Sequence, residues 1–338
     1  MLSPSVSAQK ENGRVLAVGI GRILITGGTG FVGKHLQEGL KERGMDYAAF
    51  SSREYDLTVR EEAEAAFAAH KGIGTILHLA SFQAAADFPA RHPAEQFFRN
   101  NLIHLHVLEG WRRCFPQAKL IAIGTSCAYP SEAARLTEEA FLDGAIHGSV
   151  TSYAFTKRLL YTGILAYNDQ YGMNGSYLIP ATMYGEYDDF HVETAHVSGA
   201  LIGKFVRAVR EGFPEVEIWG DGTQVREFMY VKDFIDALIH LIPLCDRDIV
   251  NVGPGKGTSI KDLAEVIREK AGFKGKLVLN KERYVGIKEK VMDVHKLARK
   301  YGHTVNSDLA PGVERTVQWY ADNYDHLRDK RKFASMLH

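Results

Sequence analysis

The chain has 338 residues, enough for one large α/β core with a smaller appendage. Its 41 lysines and arginines balance its 41 aspartates and glutamates, so no overall field holds it to nucleic acid or an anionic membrane, and anionic ligands must be met by local clusters. Three cysteines (Cys114, Cys127 and Cys245) without metal-ligand spacing argue for a reducing, cytoplasmic setting rather than a disulfide framework.

Residues 1–21 carry only a short apolar run, Val15 to Ile20, and read as a tail or leader strand; no stretch is long enough to span a bilayer. Strand-like and helix-like runs then alternate. Strands are predicted at 22–26, 47–50, 75–80, 119–125 and 175–180, with helices at about 31–43, 60–70, 93–113 and 151–171. This is the rhythm of an α/β fold, a Rossmann-like doubly wound parallel sheet with right-handed crossovers. After Pro180 the pattern loosens around a helix at about 197–211 and a strand at 215–220. The chain is expected back at the sheet near Asp248–Gly253, and a further helix to begin near Ser259. The expected organisation is a cofactor domain over 22–180, returning at 228–258, and a smaller, discontinuous α/β substrate domain over 181–227 and 259–330.

Directly after the first strand comes TGGTGFVG (26–33). Gly28, Gly30 and Gly33 satisfy GxGxxG; Gly27, Gly30 and Gly33 satisfy the GxxGxxG variant. Such glycines let the backbone turn tightly and approach a pyrophosphate, whose charge then rests on a helix N-terminus. A lone glycine triplet is also what a plain strand-to-helix turn shows, but its place after an apolar strand and before an amphipathic helix points to a dinucleotide held by Gly27, Gly28, Thr29, Gly30, Phe31, Val32 and Gly33. An acidic residue ending the second strand marks an NAD site, whereas here YAAF is followed by Ser51, Ser52 and Arg53. Two hydroxyls and a cation suit a 2′-phosphate, so NADP(H) is expected; a solvated Arg53 is the alternative. Asp56 and Leu57 are placed beside the adenine, and Ala80, closing TILHLA, joins the cofactor set.

In SYAFTK, Tyr153 and Lys157 are four residues apart, on one face of a helix. A nearby ammonium favours the phenolate of a tyrosine that otherwise ionises near ~10. Thr125, at the end of the fourth strand, can hold a carbonyl oxygen while a hydride arrives. Together with the glycine turn this set resembles the short-chain dehydrogenase/reductase family, whose Ser/Thr, Tyr and Lys carry over to Thr125, Tyr153 and Lys157.

GTSCAYP (124–130), YAFTK (153–157), YNDQYG (167–172), MYGEYDDF (183–190), ETAHVSGALIGKF (193–205), WGDGTQVREF (219–228) and NVGPG (251–255) narrow the resemblance to the GDP-L-fucose synthase family. That resemblance implies 3,5-epimerisation of a GDP-linked 4-keto-6-deoxy sugar, then reduction of C4 with NADPH. It gives Cys127 as base and His196 as acid. Read from their residue types alone, Cys127 equally suits an inert buried position and His196 a helix cap. Lys204, Arg226 and Lys290 match the family's substrate-binding positions, with Trp219 in the nucleotide site. The departures are Thr182 in PATMYG where the family has asparagine, the loop SFQAAADFPARHPAEQ in place of a lysine-valine-glycine-glycine run, and YVKD (230–233) for HVDD. They leave the sugar open, and with it a 4-ketoreductase lacking epimerase activity, a 4-epimerase, or a non-catalytic NADP-binding sensor. No metal site is expected, since His104 and His106 point to different faces of one helix. The two long helices are expected to pair in a homodimer.

Overall fold

The computed structural model describes residues 20–85, 88–133, 135–283 and 288–328, together with the backbone of Lys10–Glu11 and Arg14–Val15, which pair antiparallel. The rest of the stretch read as a tail or leader, except residues 20 and 21, lies outside the described residues, as do residues 86–87 of the loop after Ala80.

Five strands of the first half form the main sheet: β1 (Arg22–Thr26), β2 (Tyr47–Phe50), β3 (Ile73–His78), β4 (Lys119–Ile123) and β5 (Asn174–Pro180). Apart from the edge strand β2, where only Phe50 is buried, their apolar runs are buried on both faces, as parallel strands between helix layers must be. Helices α1 (Phe31–Glu42), α2 (Arg60–Ala68), α3 (Pro93–Cys114) and α4 (Thr151–Tyr171) supply those layers. Each predicted strand and helix of this half is present, with ends shifted by no more than two residues. The third strand stops at His78, which leaves Leu79 and Ala80 as irregular backbone at the sheet edge.

Beyond β5 the chain builds a smaller lobe from β6 (Thr182–Tyr184), α5 (Val197–Glu211), β7 (Glu215–Trp219), β8 (Val225–Arg226) and β9 (Phe228–Tyr230). It then packs α6 (Val231–Leu241) on α1 and re-enters the main sheet as β10 (Ile249–Val252) beside β5. The sheet order is β2-β1-β3-β4-β5-β10, parallel throughout. Strand order reverses between β1 and β3, so a crevice opens at their carboxyl ends, where open α/β sheets bind ligands. Next come β11 (Thr258–Ser259) and α7 (Ile260–Ala271), whose first turn is capped by Ser259 Oγ accepting from the Asp262 amide. Further on lie β12 (Lys276–Asn280), β13 (Glu289–Lys290) and α8 (Ala310–Asp322), with short helices at His295–Tyr301 and Tyr324–Leu327. The smaller lobe has its own apolar cluster, from Phe205, Ile218, Phe228, Leu263 and Val313 among others. No helix among the described residues is long and apolar enough to cross a membrane.

Candidate active site

A cleft of about 1730 Å³ runs from the ends of β1 and β3, past the ends of β4 and β5, to the smaller lobe. A single drug-sized ligand fills about 300–1,000 Å³, so this cleft has room for two nucleotide-sized molecules end to end.

Its first end is backbone. Gly27 has φ +74°, and a Cβ there would come within 2.9 Å of the Ala80 backbone, so β1 and β3 meet as bare main chain at the crevice. A Cβ on Gly33 would lie 2.4 Å from the Gly27 carbonyl oxygen, so helix α1 seats directly on the turn. The N-cap Gly30 brings no side chain to the first amides of α1, and no acidic residue occupies that turn. Such a cradle fits a pyrophosphate: unpaired N–H groups, helix dipole and close backbone approach converge on one point. Thr29, Gly30, Phe31, Val32, Gly33, Asp56, Leu57 and Ala80 line the cleft with Gly27. Gly28 does not: it packs on Ala49, and its amide donates to the Phe50 carbonyl. Arg53 is exposed and also stands outside the lining, whereas Ser51 and Ser52 are within it. The Ser51 amide and hydroxyl both donate to Glu54 Oε2 (2.9 and 3.0 Å), a carboxylate that the sequence reading overlooked.

Beneath the crevice, Thr26 Oγ1, His78 Nδ1 and, through His78 Nε2, His104 Nδ1 form a buried chain (2.8 and 2.9 Å). Burial lowers both imidazoles, His78 to about 3, with the Lys157 charge adding to the effect, so both are neutral. His106 instead meets the Leu57 carbonyl at 2.8 Å. Among the described residues no three His, Cys, Asp or Glu side chains are grouped to hold a metal.

The middle of the cleft joins Thr125, Cys127, Tyr153 and Lys157. Helix α4 presents Tyr153 and Lys157 on one face, and Lys157 Nζ donates to the Ile123 carbonyl (3.0 Å) and lies 5.9 Å from the centre of the Tyr153 ring. Burial lowers the Lys157 ammonium to about 7. Burial likewise pushes the Tyr153 phenol up, against a hydrogen bond with Ser81 that pulls it down. Desolvation therefore outweighs the expected pull of the ammonium, and the phenol keeps its proton at neutral pH, the state a proton donor to a ketone requires. Ser81 is itself placed by Asn100, whose Oδ1 accepts from the Ser81 hydroxyl and the Phe82 amide (both 2.9 Å).

Cys127 sits on the 3-10 turn Ser126–Ala128, its amide bonded to Thr125 Oγ1 at 3.2 Å. One residue past Lys157, the buried Arg158 donates to the carbonyls of Ala128, Gly144 and Asp143 (2.8, 2.9 and 2.8 Å), so α4 also clamps this turn. Lys290 Nζ stands 3.2 Å from Cys127 Sγ. Burial raises the thiol, but the Lys290 charge and hydrogen bond, the Thr125 hydroxyl and the Arg226 charge together bring it below its usual value. A lowered thiol with cations around it has the surroundings in which cysteines react, rather than those of an apolar burial.

His196 is the N-cap of α5 but makes no capping bond with its side chain; its Nε2 lies 3.3 Å from Gln83 Nε2. The atypical loop after Ala80 therefore reaches the expected acid, and the Ala85 amide ties that loop to the Thr194 carbonyl (2.7 Å). At the far end, two cations approach the Trp219 ring, Lys204 Nζ at 5.1 Å and Arg283 at 5.2 Å from its centre. Lys204 also donates to the Glu217 carbonyl (2.8 Å), and burial lowers its ammonium. Arg226 and Lys290 are in register on the paired strands β8 and β13. All five expected catalytic residues and all four expected substrate residues thus line one cleft, and Thr182 lines it too.

The profile of the NAD dependent epimerase/dehydratase family matches residues 23–253. Probable GDP-L-fucose synthase 1 of Oryza sativa subsp. japonica is 33% identical over 310 residues, 90% of this chain and 93% of that protein. GDP-L-colitose synthase of Yersinia pseudotuberculosis is 30% identical over 304 residues, 88% of this chain and 97% of that protein. A crystal structure of a GDP-L-fucose synthetase from Naegleria fowleri bound to NADP superposes with a TM-score of 0.85 at 24% identity, covering 95% of this chain and 99% of that one.

Proposed function

We propose, from the premise that this chain belongs to the NAD dependent epimerase/dehydratase family, that it is an NADPH-dependent 3,5-epimerase and 4-reductase of GDP-4-keto-6-deoxy-mannose or a related 4-keto-6-deoxy GDP-sugar. The observation that carries this reading is a thiol tuned below its usual value in the same cleft as a Thr-Tyr-Lys set. A plain reductase has no use for such a thiol.

In this reading the glycine turn and the α1 N-terminus hold the NADPH pyrophosphate. When bound, NADPH supplies the hydride for C4. The chain's own residues do the rest. Protons alpha to the ketone are acidified by it, so the Cys127 thiolate can take one from C3 or C5 while His196 returns one to the opposite face. Tyr153 gives its proton to the C4 oxygen as the ketone is reduced. Thr125 uses its hydroxyl hydrogen to hold that oxygen, since its lone pair already accepts from the Cys127 amide. Trp219 and Lys204 meet the nucleotide, Arg226 its diphosphate, and residues 181–227 and 259–330 form the substrate side.

The three unpaired thiols support a cytoplasmic site. Phe98 and Phe155, exposed at 64% and 51% on the long helices α3 and α4, support a homodimer through that face. The Gln83 contact to His196 favours a second reading, a 4-ketoreductase in which Gln83 withholds the acid from the sugar. One experiment separates the two. Incubation with GDP-4-keto-6-deoxy-mannose and NADPH in deuterium oxide is expected to oxidise NADPH in step with the sugar and to place deuterium at C3 and C5. Reduction without deuterium at either carbon selects the second reading, and no NADPH oxidation sinks both.

A further inference from the structure

The family resemblance places Lys290 among the substrate-binding residues, yet its ammonium rests on a sulfur, 3.2 Å from Cys127 Sγ. The contact is held from four sides. The carboxylate of buried Glu227 accepts the Gly255 amide (2.7 Å) and the Met292 amide (2.9 Å), fixing the strand end two residues past Lys290. Leu136 and Met292 form a backbone bridge, and the Asp293 amide donates to the Leu136 carbonyl at 3.1 Å. Tyr129, two residues past Cys127, donates to Asn251 Oδ1 (2.8 Å), and Asn251 Nδ2 donates to the carbonyls of Leu136 (2.8 Å) and Asp293 (2.9 Å). Arg158 grips the thiol turn from behind. Buried polar networks with every member satisfied are rigid, so the ammonium and the sulfur are built to meet.

We propose that Lys290 is a positioning residue for epimerisation: docked on Cys127, its ammonium holds the sulfur as the thiolate that abstracts the sugar's alpha proton. This deepens, and rests on, the epimerase reading above. The other groups that face the sulfur agree with it. Arg226 on β8 adds a second positive charge, Thr125 a hydrogen bond until a sugar C4 oxygen takes its one hydroxyl hydrogen, and Tyr153 on α4 is a neutral phenol at neutral pH. In the step itself the thiolate forms an S–H bond as the C–H electron pair moves into the enolate. His196 protonates the opposite face, and exchange with solvent resets both groups. Lys290 keeps its proton throughout. It acts through charge, which a glutamine cannot replace and an arginine can.

The test needs no sugar. In a Cys114→Ser background, which removes the exposed thiol, the alkylation of Cys127 by iodoacetamide is followed against pH by mass spectrometry of the labelled peptide. Lys290→Gln is expected to raise the pH midpoint by at least about one unit and to slow alkylation at pH 7 about tenfold, the effect of losing a cation in contact. Lys290→Arg is expected to stay near the parent midpoint. Identical midpoints in the parent and Lys290→Gln, with thermal unfolding showing both folded, overturn the proposal. With the ketosugar, a tuning role lowers kcat for deuterium exchange, while a role confined to diphosphate binding raises KM and leaves the alkylation profile unmoved, which also overturns it. Normal tuning in a protein that never exchanges deuterium instead counts against the epimerase reading alone.

Discussion

The glycine turn after β1 and the thiol turn after β4 lie at the same edge of one sheet, yet they are built in opposite ways. The first is seven contiguous residues whose shape is in the backbone: three places where a Cβ has no room and a helix end left uncapped by side chains. The second is three residues that do little alone. It becomes a site through Arg158 from α4, Asn251 from β10, Glu227 between β8 and β9, and Lys290 from β13. A local backbone motif tolerates change elsewhere, whereas a side-chain site assembled from five segments depends on each tie. Damage to one should therefore leave the other measurable.

The largest expected effect falls between them. Tyr153→Phe removes the proton donor and should slow ketone reduction by about 10²–10⁴-fold, as loss of a general acid does, while NADPH titration and deuterium exchange at C3 and C5 persist. Loss of exchange as well would mean that the two chemistries share this tyrosine.

Lys157 comes next. It is protonated up to 10.5 in an unfolded chain but only to about 7 in the folded one. Between those values the unfolded state binds more protons, so this site makes the native protein more stable as pH rises through the window. Lys157→Met removes that slope, and its stability gain over the wild type should shrink steadily from pH 7 upward in denaturant titrations. A pH-independent difference would show that the ammonium is not buried.

Glu227→Ala leaves two buried amides unpaired and should cost on the order of 2 kcal/mol, seen as a lower denaturation midpoint. In the folded fraction it should weaken GDP binding and raise the Cys127 alkylation midpoint with NADPH affinity unchanged. Gly33→Ala should do the reverse: its Cβ forces the turn apart, and NADPH affinity should fall by about tenfold, roughly 1.4 kcal/mol, with GDP titration unaffected. If either variant disturbs both ligands equally, the two regions are not independent. Smallest is Phe155→Asp on the exposed face of α4, expected within about 0.5 kcal/mol of the wild-type stability but sedimenting as a monomer.

Much of this was legible in the residues themselves, and unevenly so. From β1 to β5, and again at α5, the helices and strands follow from their apolar period, whereas the short β6 between them was not read as an element. Past Ser259 the text of the chain says less: KLVLN of β12 is half exposed with no clean alternation, and α8 opens over Pro311, so neither was read as an element. The same division runs through the site. The glycine turn and the placing of Thr125 at a strand end and of Tyr153 and Lys157 on one helix face could be read locally, since strand ends and a single helix turn fix those positions, while their roles came with the family resemblance. Cys127 and Lys290 are 163 residues apart, and Gln83 and His196 are 113 apart. Nothing in either member of those pairs announces the other. Glu54, Asn100, Arg158 and Glu227 carry ordinary polar side chains whose partners are mostly backbone groups, and a sequence does not show which of its carbonyls and amides will be stranded at a loop end. Composition and local pattern therefore determined the sheet, the glycine turn at its first crossover, and the shared helix face of Tyr153 and Lys157. Only the tertiary structure decided that Lys290 meets a sulfur, that Gln83 meets His196, and that Arg53 stands outside the cleft, because those outcomes depend on where distant loops close and on which charges are left out of water together.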